Sequence, residues 1–280
     1  RSPRPTTSTT SAATAGPDGP RVPPRPGMGV TGYDAWLRAA RRRGADDEEL
    51  AAIATSNSLR RDAFDILGTM TALEDGSGRS YFLVPPGMSG ADVARAAWLT
   101  YVWNAGTGYG DLARRDFAPT PFSADEVLRI KARQAGNAWS YARAVRVADA
   151  GGARLVTTPT GMLMGAGGNA ALRMCSQLGG TTWGDIFLIN SGARDAGPIL
   201  AATVEAGRVV YRRDGQMCLG RLPLDRLLHH EEIHADQWAQ RGPARFASAY
   251  LREALAAASL GRVNRFEAQA GLSDGGYVDD

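Results

Sequence analysis

The sequence predicts an α+β protein, and three observations carry that prediction. Between Tyr33 and about Ala150, apolar residues recur at helical spacing. From Arg154 onward, short β-branched or aromatic runs alternate with Gly-rich turns, which is the texture of strands. Near the C-terminal end, Pro223–Gln240 returns to helical spacing and holds all three histidines of the chain. With 280 residues and 44% hydrophobic residues, the chain can build one large domain or two small ones around a sizeable core.

The elements follow in order. Residues 1–27 are rich in Pro, Ser, Thr and Gly and nearly devoid of large apolar groups, so they read as a flexible tether. Residues 28–150 read as a mainly helical region, with order expected from near Tyr33. Helices are expected over Tyr33–Arg43, Asp47–Thr55, Leu59–Leu73 and Ser89–Asn104, while Ser80–Pro85 reads as a short strand or an extended link. Ser123 and Glu126 form a capping box that opens one long helix toward Val147. Within residues 151–280, strands are expected at Arg154–Thr158, Trp183–Asn190, Ile199–Val204 and Arg208–Arg212, with a helix at Asn169–Leu178. Met162–Met164 lies among glycines and reads as a turn or loop, without the spacing of a phosphate cradle. Helices follow at Pro223–Gln240, Ala244–Ser259 and Asn264–Ala270.

Charge and composition exclude several function classes. The net charge of +3 resides in the tether, where Arg1, Arg4, Arg21 and Arg25 face only Asp18. Residues 28–280 then hold 28 basic and 28 acidic residues and lack the basic patch of a nucleic-acid binder. No apolar run approaches the roughly 18–20 residues of a membrane span. Lys131 is the only lysine, a bias that points to a GC-rich bacterial genome. A Ser/Thr/Pro tether commonly separates an export signal or anchor from a folded domain, so an extracytoplasmic or secreted setting is expected, with signal or anchor outside this chain. Cys175 and Cys218 lack CxxC spacing; they read as one disulfide in an exported protein or two buried thiols in a cytosolic one. The tether favours the disulfide.

The chemistry concentrates in His229-His230-Glu231-Glu232-Ile233-His234. His230-Glu231-x-x-His234 is the HExxH pattern; the alternative frame fails because Ile233 stands four residues after His229. Histidines at i and i+4 share one helix face, about 5–6 Å apart at Cβ, so both imidazoles can reach one metal ion. Glu231 follows the first histidine and can reach a metal-bound water without being a ligand. A catalytic zinc ion takes three protein ligands and keeps one position open. Asp236 is turned well off the histidine face. Glu267 sits on a separate helical segment that one returning helix can bring back, with Asp274 as the reserve.

The run from His230 through Gly242-Pro243 and Tyr250 to Asn264-Arg265-Phe266-Glu267 resembles bacterial zincin-like proteins of the gluzincin metallopeptidase type. Their signature is HExxHxxQ, a Gly-Pro break, a Phe…Ala-Tyr helix and Asn-x-Phe-Glu. The resemblance covers about residues 181–280. It implies a zincin-like catalytic part, a small twisted sheet with the HExxH helix and downstream helices. It also implies a zinc centre held by His230, His234 and Glu267, with Glu231 as general base. By the same resemblance, Gly207–Tyr211 is expected to be the edge strand that receives an extended peptide substrate. Tyr250, Tyr277 and Arg265 are all close enough in sequence to serve as the oxyanion partner. The expected function is therefore a zinc-dependent metallopeptidase acting on a peptide or protein. A non-catalytic scaffold binding a protein or cell-envelope partner and a peptidase toxin or effector domain stand as the alternatives.

Overall fold

A computed structural model describes residues 31–107, 122–167, 180–189, 196–213 and 216–277. The tether, the expected helix at Asn169–Leu178 and Cys175 lie outside these residues. The fold is mixed helix and strand, in agreement with the α+β class.

The N-terminal helices are α1 (Gly32–Arg42), α2 (Asp47–Ser56), the single turn α3 (Asp65–Gly68), α4 (Gly90–Trp103), α5 (Ala124–Gly136) and α6 (Ala138–Gly151). Side-chain caps at Thr31, Asp46, Ser89 and Ser123 accept backbone N–H groups that the first turn would otherwise leave unpaired. The long helix expected after Ser123 is broken at Gly136-Asn137. There the buried Asn137 amide donates to Asp185 (3.0 Å) and to the Ala235 carbonyl (2.8 Å), a tertiary anchor that ends α5. The helix expected at Leu59–Leu73 is mostly turn, and its end is strand β1.

Six short strands form one mixed sheet: β1 (Thr71–Glu74), β2 (Ser80–Leu83), β3 (Arg154–Thr157), β4 (Leu163–Ala166), β5 (Gly180–Trp183) and β6 (Ile186–Ile189). Their order is β1-β2-β3-β4-β6-β5, antiparallel except where β4 runs parallel to β6. Both faces of the sheet are covered. Phe82, Leu155, Leu163 and Ile186 point into the core built by α1–α6, whereas Tyr81, Val156, Met164 and Phe187 point into a second core. This period-two alternation is what a strand with two buried faces requires. Because β1 and β2 come from the N-terminal region, both parts of the chain share the sheet.

The second core is closed by α7 (Ala196–Ala206) and α8 (Leu224–Arg241). Two expectations fail here. Ile199–Val204 is helical, with Ile199, Leu200, Thr203 and Val204 all buried, and Leu163–Ala166 is a central strand instead of a loop. Of the run expected as one strand at Trp183–Asn190, Trp183 ends β5, a turn follows at Gly184, and Ile186–Ile189 is β6; Asn190 lies outside the described residues. A separate two-stranded ribbon joins β7 (Arg208–Arg213) to β8 (Gln216–Pro223), with Cys218 half-buried on β8. After α8, the helices α9 (Pro243–Leu260) and α10 (Arg265–Ala270) fold back along it. Asn264 caps α10 by accepting from the Phe266 N–H. Among the described residues, no helix is long and apolar enough to cross a membrane.

Candidate metal centre

The core side of α8 presents His230, Glu231, His234 and, two turns beyond Glu231, Trp238. Trp238 packs against Phe246 of α9, and Phe246 against Phe266 of α10. This aromatic seam returns the chain so that Glu267 faces the two histidines. His230, His234 and Glu267 are all buried, at 3%, 7% and 5% exposure, and each offers one ligand atom to a common point. The two Nε2 atoms are 3.1 Å apart, and Glu267 Oε2 lies 3.1 Å from His234 Nε2 and 3.3 Å from His230 Nε2.

The surrounding hydrogen bonds decide which nitrogens are free. His230 Nδ1 is 2.9 Å from the Gly271 carbonyl, which only accepts, so Nδ1 carries the proton. Gln237 donates through Nε2 to the Phe266 carbonyl (3.1 Å), which turns its Oε1 toward His234 Nδ1 at 2.9 Å. Both Nε2 atoms therefore present bare lone pairs to each other and to a carboxylate. A proton relieves one of these repulsions, and a cation at the common point relieves all of them. The group thus fits a divalent metal, with the second-layer carbonyl and amide that orient metal-bound histidines.

The electrostatics agree with this reading. Burial disfavours the His234 cation, yet the Glu267 hydrogen bond and the nearby Glu231 and Glu267 charges raise its pKa above the ordinary value. Burial likewise opposes the Glu267 anion, but the facing imidazoles of His230 and His234 and the hydrogen bond from Tyr250 hold its carboxyl far below the usual carboxylate range. The centre is a negatively biased pocket. The Tyr250 hydroxyl donates to Glu267 Oε1, leaving Oε2 for the common point. Tyr277 lies beside His230, with ring centroids 6.0 Å apart. Burial raises the pKa of both tyrosines, which keeps the phenols protonated as donors.

Glu231 stays out of the ligand cluster, where its Oε2 accepts from the Thr182 hydroxyl at 2.6 Å. Thr182 belongs to β5, the terminal strand of the six-stranded sheet. The expected edge strand, Gly207–Tyr211, falls on β7, which pairs with β8 in its own ribbon, whereas the strand that reaches Glu231 is β5.

The other candidates take different places. Asp274 is fully buried and is held by Arg226 at 2.8 Å, with His229 Nδ1 at 3.5 Å, so it anchors the loop after α10. Asp236 faces Arg129 at 2.6 Å on another side of α8. Arg265 is exposed, near Glu253 and over the Phe266 ring, and does not join the cluster. Sequence reasoning missed Thr182, Gly275 and the roles of Gln237 and Gly271. Of these, only Gln237 carried a signal, three residues after His234. Comparison of the chain with protein-family models, curated proteins and solved structures finds no match.

Proposed function

We propose that the protein is a zinc-dependent peptidase of zincin-like type, with His230, His234 and Glu267 as metal ligands. One observation carries the reading: two bare imidazole nitrogens and one carboxylate oxygen converge within hydrogen-bonding distance of each other while Glu231 stands beside them, uncommitted to the cluster. Two histidines and a glutamate with an open position are a ligand set for catalytic zinc. When bound, zinc would lower the pKa of a water molecule toward about 7 and polarise the scissile carbonyl.

The chain's own groups supply the remaining work. Glu231 accepts the proton of the attacking water and passes it to the leaving amine. Thr182 holds the Glu231 carboxylate in place until then, at 2.6 Å. Tyr250 keeps Glu267 oriented. Tyr277, which is 57% exposed, is the donor free to turn toward the developing oxyanion. An extended peptide would pass beside β5, the terminal strand that brings Thr182 to Glu231.

The test is Glu231→Gln against wild type, both loaded with zinc and assayed on a mixed peptide library. Wild-type cleavage that vanishes in the variant, at unchanged zinc content, is the expected result. An inactive wild type with stoichiometric zinc would favour the scaffold reading instead.

A further inference from the structure

The tryptophans are distributed unequally. Trp36, Trp98 and Trp238 are buried, Trp103 and Trp139 half-buried, and Trp183 is exposed at 40%. Trp183 ends β5, one residue beyond the threonine that holds Glu231. Its ring stacks on Trp238 with centroids 5.7 Å apart and planes at 26°, so one indole face is covered and the other is open.

The indole is held in place by its surroundings. Trp238 Nε1 donates to the Thr182 carbonyl at 2.9 Å, pinning the strand to α8. Trp139 and Phe246 flank Trp238, at 5.6 and 4.7 Å between centroids. The following residue, Gly184, has φ +60°, and a Cβ there would come within 2.6 Å of Ser140 Cβ, so the turn is packed tightly against α6. An exposed indole mounted on such a base is a preorganised stacking surface.

We propose that Trp183 is the specificity-determining platform of the site and selects substrates with an aromatic side chain next to the scissile bond. This rests on the peptidase reading above. The position follows from strand geometry. An extended peptide advances about 3.3 Å per residue, and Trp183 adjoins the threonine that bonds Glu231, so a side chain within two residues of the bond beside Glu231 reaches the indole. The chemical class follows from the surface. The open face offers π stacking and apolar area to a planar group. A cationic side chain is disfavoured by Arg143, whose guanidinium lies 5.5 Å from the Trp139 ring centre in the same cluster.

The experiment uses full-length Glu231→Gln protein loaded with zinc, so that bound peptide stays intact. Blocked pentapeptides with Phe or Ala at successive positions are titrated calorimetrically, beside a chitin tetrasaccharide as a sugar-stacking probe. Phe at one position should bind roughly tenfold tighter than Ala. Adding Trp183→Ala should erase that difference, whereas Trp183→Phe should keep part of it, with zinc content equal in all three proteins. A Phe preference that survives Trp183→Ala, no preference at any position, or binding of the sugar alone would overturn the proposal. In the active enzyme, the Phe-to-Ala ratio of kcat/KM should fall toward one in Trp183→Ala. If the wild type hydrolyses nothing, the peptidase reading fails while the titrations still decide the role of Trp183.

Discussion

Glu231 and Glu232 are neighbours in sequence and serve different sides of α8. Glu231 reaches Thr182 at the edge of the sheet, while Glu232 Oε1 lies 2.5 Å from both Arg129 and Arg133. One helix thus carries the two histidines of the His-His-Glu cluster on one side and a buried ion network on another. That network also includes Glu126, Asp185 and Asp236. It ties α5 and the β5–β6 turn to α8 and so holds the motif helix against the sheet.

Arg133 has no exposed side-chain surface and bridges Asp185 and Glu232. Arg133→Met should destabilise the fold by about 3 kcal/mol or more, because it leaves the buried Asp185 without its cation and Glu232 with Arg129 alone. Urea denaturation measures this. Combining it with Glu232→Gln should cost less than the sum of the two single changes, since the second removes a carboxylate that the first has left with fewer cations. Strict additivity would mean that the network is not coupled.

The metal prediction is stoichiometric. Purified, zinc-supplemented protein should hold about one zinc per chain, and His230→Ala, His234→Ala and Glu267→Ala should each lose it. Removing the metal with a chelator should lower Tm by several degrees, because the three convergent donors are then left facing one another. Elemental analysis that finds no metal would remove the central claim.

Tyr250 acts through Glu267. Tyr250→Phe should weaken zinc binding by about tenfold or more while leaving the fold intact, the usual cost of losing an orienting hydrogen bond behind a ligand. Competition with a fluorescent zinc chelator gives the affinity. An unchanged value would assign Tyr250 to packing alone.

Asp236 makes stability depend on pH. Burial, with Glu232 and Asp185 nearby, raises its pKa to about 6, even though Arg133 and Arg129 pull the other way. The folded state thus binds this proton more tightly than the unfolded state, where the ordinary value is 3.8. Its contribution is complete below about pH 4 and is lost as pH rises through 6. Measured on metal-free protein, the stability difference between wild type and Asp236→Asn should shift toward the variant by about 1–2 kcal/mol from pH 4 to 7. A shift of the opposite sign would mean that the Arg129 ion pair dominates.

The cluster of His230, His234 and Glu267 was legible because its chemistry is local. The i, i+4 spacing places His230 and His234 on one face, and Asn264 opens the short helix that presents Glu267. The sheet was less legible. Gly165 reads as loop from its sequence, yet a Cβ there would crowd Leu188 and Leu155, so the glycine is what lets β4 pass between its neighbours. Ile199–Val204 is too short and too uniformly apolar for its period to separate strand from helix. The break at Asn137 and the bond from Thr182 to Glu231 depend on partners distant in the chain, 48 and 49 residues away, and no local pattern announces them.

Gly275 offers a sharper test of the centre than any ligand deletion. A Cβ at this position would overlap the His230 imidazole, and its φ is not in the left-handed region, so the constraint is steric. Asp274, held by Arg226, prevents the loop from backing away. Gly275→Ala should therefore push the His230 ring off its hydrogen bond to the Gly271 carbonyl and out of line with His234 and Glu267. Zinc affinity should drop by about tenfold or more, while Gly276→Ala, at φ +74° against Leu222, should chiefly cost stability. Zinc titration and thermal denaturation of the two variants separate these effects. Full zinc affinity in Gly275→Ala would show that the loop yields and that His230 is not fixed by it.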